Sequence, residues 1–314
     1  MLKSRQDILS WGKFLIGWPL SIISVGFILK LVFDNKNKIN LNFSDITFFY
    51  LITGIVFFVI YFLLRSFLWQ KLLREKGGKI SFTENTYRFA FSEIKRYTPG
   101  NIWSFLSRAS MFQEAGIEKN IVGVSLLADI QLVIIGCGIF SLFSVPWILN
   151  SENELKLKLI SLLPFSLIAV VIYFVVIGLI YSKKYDKSEK LLNSFVMPGF
   201  SLNSKIKVTL ISVVTYAFFG MANFFVLLSI YSIGFNYLLI LSSFFVFALL
   251  VGYLSFITPM GLGIRELIVT LGLSQIVNQT DAGAISIFTR LSLVVTELSL
   301  LLFIFLWKKY LSKQ

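Results

Sequence analysis

Long apolar runs alternate along this chain with short connections that are either basic or charge-balanced. Seven runs, Phe14–Phe33, Ile46–Leu64, Ile121–Leu149, Leu159–Ser182, Val208–Tyr231, Tyr237–Ile257 and Ala282–Trp307, are long enough to span. Each approaches the roughly 20 residues an α-helix needs to cross a bilayer core of about 30 Å. Lipid leaves no partner for exposed backbone amides, so such runs must be helices rather than open strands. The pattern therefore predicts an all-α, polytopic integral membrane protein. Lys30, near the end of the first run, is placed to snorkel to the interface.

Two stretches break the pattern. Gly261–Val277 is short, glycine-interrupted and opens with the charged pair Arg265-Glu266. Phe82–Gly116 is too polar to span and too apolar for a plain loop. It reads as two helical pieces, Glu84–Tyr97 and Ile102–Glu114, broken at Thr98-Pro99-Gly100, where proline lacks the amide donor and glycine costs backbone entropy. A re-entrant hairpin and a pair of amphipathic interfacial helices both fit that segment.

Charge orients the runs. Arg65–Lys119 holds ten Lys/Arg against five Asp/Glu, and Lys183–Lys207 holds six against two. Asp34–Asp45 and Ser151–Lys158 each balance two against two. With basic residues at both termini, the positive-inside rule puts both termini in the cytoplasm; the expected location is the plasma membrane. Two cytoplasmic termini require an even number of crossings, so Gly261–Val277 is expected to supply an atypical eighth, giving about eight crossings with broken or re-entrant helices.

Composition narrows the chemistry. The 314 residues are 56% hydrophobic and 14% charged, with a mean hydropathy of +0.81 and a net charge of +13. In this setting the positive charge reads as topology and attraction to anionic lipid, not nucleic-acid binding. The chain has no histidine, which removes His-based acid–base, zinc and haem chemistry. Cys137 is the single cysteine. No P-loop and no nucleophile elbow are present. No catalytic residue, metal or cofactor is expected.

The candidate site residues are polar positions at membrane depth. Thr98-Pro99-Gly100 is echoed by Thr258-Pro259-Met260-Gly261-Leu262-Gly263, and each is followed by a helix-like segment. Helices that start inside a protein-lined cavity present free amides and a positive dipole end, which suits phosphate. Asp129 lies about 12 Å and Glu297 about 15 Å from the predicted cytoplasmic ends of their helices, at 1.5 Å per residue. Ionisable groups at that depth cost several kcal/mol unless paired, and mark function or a structural ion pair, for example either carboxylate with Arg265. Arg88, Arg96, Arg108, Arg265 and Arg290 could line one polar invagination, because a guanidinium fork matches a phosphate bidentately. Asp129, Glu266 and Glu297 would then balance those arginines.

These residues carry a family resemblance. The Tyr-Thr-Pro-Gly break, with Arg96 before it and Arg108 after it, resembles the first signature of the lysylphosphatidylglycerol synthase transmembrane family. The run from Thr258 to Glu266 is similar to its second, a Pro-x-Gly-x-Gly-x-Arg-Glu element. The family includes the flippase-like half of multiple peptide resistance factors and stand-alone relatives linked to polyprenyl-phosphate or glycolipid pathways. The resemblance implies a single transmembrane flippase-like domain over residues 1–314. It implies movement of an anionic phospholipid, a glycolipid or a polyprenyl-phosphate-linked sugar between leaflets. Because the sequence ends at Gln314, just past the last apolar run, an aminoacyl-transferase domain and lysyl transfer are not expected. Two readings of other kinds stand beside it: a membrane-embedded transferase acting on a lipid-linked substrate, and a non-transporting accessory subunit of a cell-envelope complex. The partners expected are an anionic membrane lipid or lipid-linked sugar and no nucleic acid. A second copy of the chain or cell-envelope synthesis enzymes are the candidate protein partners.

Overall fold

A computed structural model describes residues 46–97, 102–146, 197, 199–254 and 261–311. Among them are eight α-helices and no strand. In chain order they are α1 (Phe48–Glu75), α2 (Phe82–Ile94), α3 (Ile102–Glu114), α4 (Lys119–Ser141), α5 (Leu202–Ile230), α6 (Leu238–Leu254), α7 (Ile264–Leu273) and α8 (Gln279–Leu311). Five helical stretches, built on α1, α4, α5, α6 and α8, are long and apolar enough to cross a membrane. The fold is all-α and polytopic. The expected spans Phe14–Phe33 and Leu159–Ser182, and the breaks at Thr98, Pro99, Gly100, Thr258 and Pro259, lie outside the described residues.

The bundle is organised around α1 and α5, which pack antiparallel over their whole length. At one end the Thr47 amide donates to the Ser229 carbonyl at 3.0 Å, and at the other the Ser204 hydroxyl donates to Glu75. Between these ends runs an aromatic seam: Phe57 against Phe225 at 5.3 Å, Phe58 against Phe219 at 6.0 Å, and Tyr61 against Phe219 at 5.1 Å. Edge-to-face pairs of this kind add about 0.5–1.5 kcal/mol each beyond their burial. The Glu75–Ser204 end carries Lys71, Arg74, Lys76, Lys79, Lys205 and Lys207 and is called the basic end below. Apolar side chains also point outward: Phe49, Ile52, Val56, Leu63 and Phe67 of α1, and Leu291, Val295, Leu298 and Leu302 of α8, are exposed at helical spacing. Such stripes suit lipid and would be a liability in water.

Two helical hairpins interrupt the regular bundle. The first is α2–α3. Leu68, Trp69, Leu72 and Leu73 keep α1 buried for three turns beyond Leu64, where the apolar run ends. The chain then turns and α2 doubles back beside α1. Gln70 donates to the Ile80 carbonyl, Ser66 to Thr86, and Asn85 to the Ser66 carbonyl, each at 2.9 Å. Phe62 packs on Phe89 at 5.7 Å. The α2–α3 pair thus runs from the basic end back into the bundle beside α1. Its helix limits agree closely with the expected pieces, and α3 matches Ile102–Glu114 at both ends.

The second hairpin is α6–α7, which starts from the opposite end. Gly261 lies against Gly252 and Gly272 against the Phe244 ring, so α7 runs antiparallel to α6. With ten residues, α7 is about 15 Å long, half of a crossing. Gly261 and Gly263 have φ of +64° and +87°, a region that costs other residues about 1–2 kcal/mol.

Candidate functional site

The hairpins converge on a cavity of about 80 Å³, room for several waters. Its walls come from six helices and the single turn Lys95–Tyr97. α1 gives Tyr61 and Arg65, α2 gives Glu93, the turn gives Arg96, and α3 gives Ser104, Phe105 and Arg108. α4 adds Val133, α5 adds Tyr216, and α6 adds Leu249 and Tyr253 from its last turns.

The charges form an unbroken chain. Arg65 grips Asp129 with both terminal nitrogens, at 2.8 and 3.2 Å. Arg108 reaches the same carboxylate at 2.8 Å and also donates to Glu93. Arg96 donates to the other Glu93 oxygen at 2.9 Å and to Glu297 of α8. Three guanidiniums and three carboxylates alternate from α1 to α8. Arg108 is 1% exposed and Asp129 1%, so burial is tolerable only because the pairs neutralise one another. The Arg108 guanidinium also lies over Phe89 at 4.4 Å and Trp69 at 5.0 Å. Arg65 lies ten residues from the end of α1 and Asp129 ten from the start of α4, about 15 Å from the basic end in each case.

A second polar group sits at the start of α7. Arg265 donates to the Asn223 side chain at 3.1 Å and lies over Phe219 at 5.0 Å, the ring that also packs on Tyr61. The Gly263 amide donates to the Glu266 carboxylate at 2.6 Å, and Arg290 stands 3.8 Å from the same carboxylate. The free amide expected to await a phosphate at Gly263 is met by the chain's own glutamate.

The expected site residues therefore divide. Arg96, Arg108, Asp129 and Glu297 join in one network at similar depth. Arg265, Glu266 and Arg290 form the neighbouring group, and Asp129 and Glu297 pair with Arg65 and Arg96 rather than with Arg265. Arg88 does not line the cavity: it pairs with Glu84 at 2.6 Å and donates to the Met111 carbonyl, fastening α2 to α3. Lys308 reaches Glu84 from α8 at 2.8 Å. Burial alone would raise the Glu84 pKa, but Lys308 and Arg88 outweigh it and hold it below the usual value. A depressed carboxylate stabilises the fold above its unfolded pKa and loses that contribution as pH falls through the folded one. Lys308→Ala is expected to return the Glu84 titration toward that of a free glutamate, read by NMR. Because the pair is partly exposed, it should change stability by less than about 1 kcal/mol.

Arg65, Glu93, Tyr61, Tyr216 and Asn223 were not among the expected residues. For Arg65 a signal existed, the buried-type spacing of Leu68, Trp69, Leu72 and Leu73 beyond it. Glu93 stands three residues before Arg96, one helical turn away. The two tyrosines and Asn223 carry no mark that separates them from ordinary core positions.

Comparison with known families adds one finding: a model of the lysylphosphatidylglycerol synthase TM region matches residues 14–299. No curated protein matches the chain.

Proposed function

The chain belongs to the lysylphosphatidylglycerol synthase TM-region family, and from that membership and the buried arginine network we infer that it carries a phosphate-bearing membrane lipid between leaflets. The observation that supports this most directly is the meeting of Arg65, Arg96 and Arg108, from three separate elements, on one cavity at membrane depth. Guanidinium forks suit a phosphodiester, and the apolar wall of Phe105, Val133 and Leu249 suits the first carbons of a glycerol or prenyl chain. The α2–α3 and α6–α7 hairpins place discontinuous helices at this point, the arrangement transporters use to hold polar groups within a bilayer. In this reading the basic end faces the cytoplasm of a plasma-membrane protein and Arg265 steadies the α7 break beside the cavity.

The test is leaflet exchange in reconstituted vesicles with acyl-tagged phosphatidylglycerol, its headgroup intact. Wild-type protein should expose the inner-leaflet probe to a membrane-impermeant quencher. Arg96→Ala, at the less buried end of the network, and Arg265→Ala should each slow exchange at least tenfold while eluting as folded protein. Exchange at the wild-type rate in both variants would overturn the reading. Competition by unlabelled polyprenyl phosphate, glycolipid or phosphatidylglycerol ranks the cargo.

A further inference from the structure

Among the three carboxylates of the network, Glu93 has a distinct place. Asp129 accepts three hydrogen bonds from Arg65 and Arg108 and is not part of the cavity wall, and Glu297 stands beyond Arg96. Glu93 lines the cavity and gives one oxygen to Arg96 and the other to Arg108. Two acceptor oxygens, one on each guanidinium, is also how the two non-bridging oxygens of a phosphodiester would sit. We propose that Glu93 is an internal stand-in for the lipid phosphate, and that an anionic headgroup displaces it with uptake of one proton.

The reasoning is one of charge. Around Glu93 stand Arg65 and Tyr61 from α1, Arg96 from the adjoining turn, Arg108 from α3, Asp129 from α4, Tyr216 from α5, Tyr253 from α6 and Glu297 from α8. The three arginines and three carboxylates sum to zero. A phosphodiester added to that set leaves a buried excess of one negative charge, which is costly away from water. A displaced glutamate also loses both guanidinium partners, and those partners were what favoured its ionised form. Protonation answers both: the carboxylate takes a proton from water, becomes a neutral acid, and the cluster returns to zero with phosphate between Arg96 and Arg108. The proton leaves again when the lipid does, so the site couples lipid occupancy to proton activity.

This rests on the phosphate-site reading above, and binding of dihexanoyl-phosphatidylglycerol, a water-soluble short-chain lipid, separates the two. Calorimetry in buffers of different ionisation enthalpy counts protons. Wild-type protein should take up about one proton per lipid, and affinity should fall up to tenfold per pH unit as pH rises. Glu93→Gln should bind at least tenfold more tightly than wild type at pH 8, with no proton uptake and a flat pH profile. Binding that is lost in Arg96→Ala yet shows no proton uptake in wild type would overturn the exchange while leaving the phosphate site intact. Absence of binding to every form would overturn both. Should Glu93→Gln fail to fold, the wild-type proton count decides alone.

Discussion

Asp129→Asn is expected to destabilise the protein by about 3–5 kcal/mol, the usual cost of removing one partner from a buried ion pair. The side chain keeps its shape but loses its charge. Arg65 directs both terminal nitrogens at this carboxylate and Arg108 a third, so the substitution leaves an excess positive charge at a point where Asp129 is 1% exposed. A thermal melt in detergent should show a large fall in midpoint. The informative partner is Arg65→Gln. Alone it should also be costly, because Asp129 then keeps Arg108 as its one cationic partner. Combined with Asp129→Asn it restores neutrality, and the double variant should be clearly more stable than Asp129→Asn. Lipid exchange separates structure from function in the same cycle. If the pair served only to fix helix register, the rescued double variant would regain exchange along with stability. If Arg65 holds phosphate, stability returns and exchange does not.

The regular part of the bundle was legible in the sequence because the lipid requirement writes itself into long apolar runs. The expected Val208–Tyr231 run and the described part of the Tyr237–Ile257 run fall on α5 and α6 to within one residue, and Asp129 and Glu297 stood out as charges within such runs. The hairpin residues were harder for a physical reason. Arg65 and Glu93 lie in a segment whose charges also satisfy the positive-inside pattern, so a loop accounts for them equally well. Only the doubling-back of α2 on α1, through Ser66, Asn85 and Thr86, carries those charges inward, and that contact is tertiary. Polar side chains that pair with one another across a hairpin leave no local periodicity to distinguish a buried helix from an interfacial one. Arg88 is the converse case. It shares composition and spacing with the site arginines, yet Glu84 one turn away and the Met111 carbonyl take its guanidinium at the rim.

Gly261→Ala is expected to cost about 3 kcal/mol or more and to impair transport with it. Two effects add. The residue sits at φ +64°, where an alanine pays about 1–2 kcal/mol. Its new Cβ would also stand 2.5 Å from the Gly252 Cα and 2.6 Å from the Gly252 carbonyl oxygen. Both are backbone atoms of α6, so no rotamer change can relieve the clash, and overpacking of this kind adds about 1–3 kcal/mol. The contact has functional reach because a Cβ on Gly252 would in turn meet that of Arg265 at 3.3 Å. Parting α6 from the start of α7 would draw Arg265 off Asn223 and shift Tyr253 and Leu249 in the cavity wall. A suitable control is Gly123→Ala on α4, where a Cβ meets nothing within 4 Å and φ is not positive. Within a helix that change should be neutral or stabilise by about 0.5–1 kcal/mol. Detergent melts and vesicle exchange on the two variants check the claim together. Equal stability of Gly261→Ala and Gly123→Ala would mean that the close approach of the two glycines does not hold the second hairpin in place.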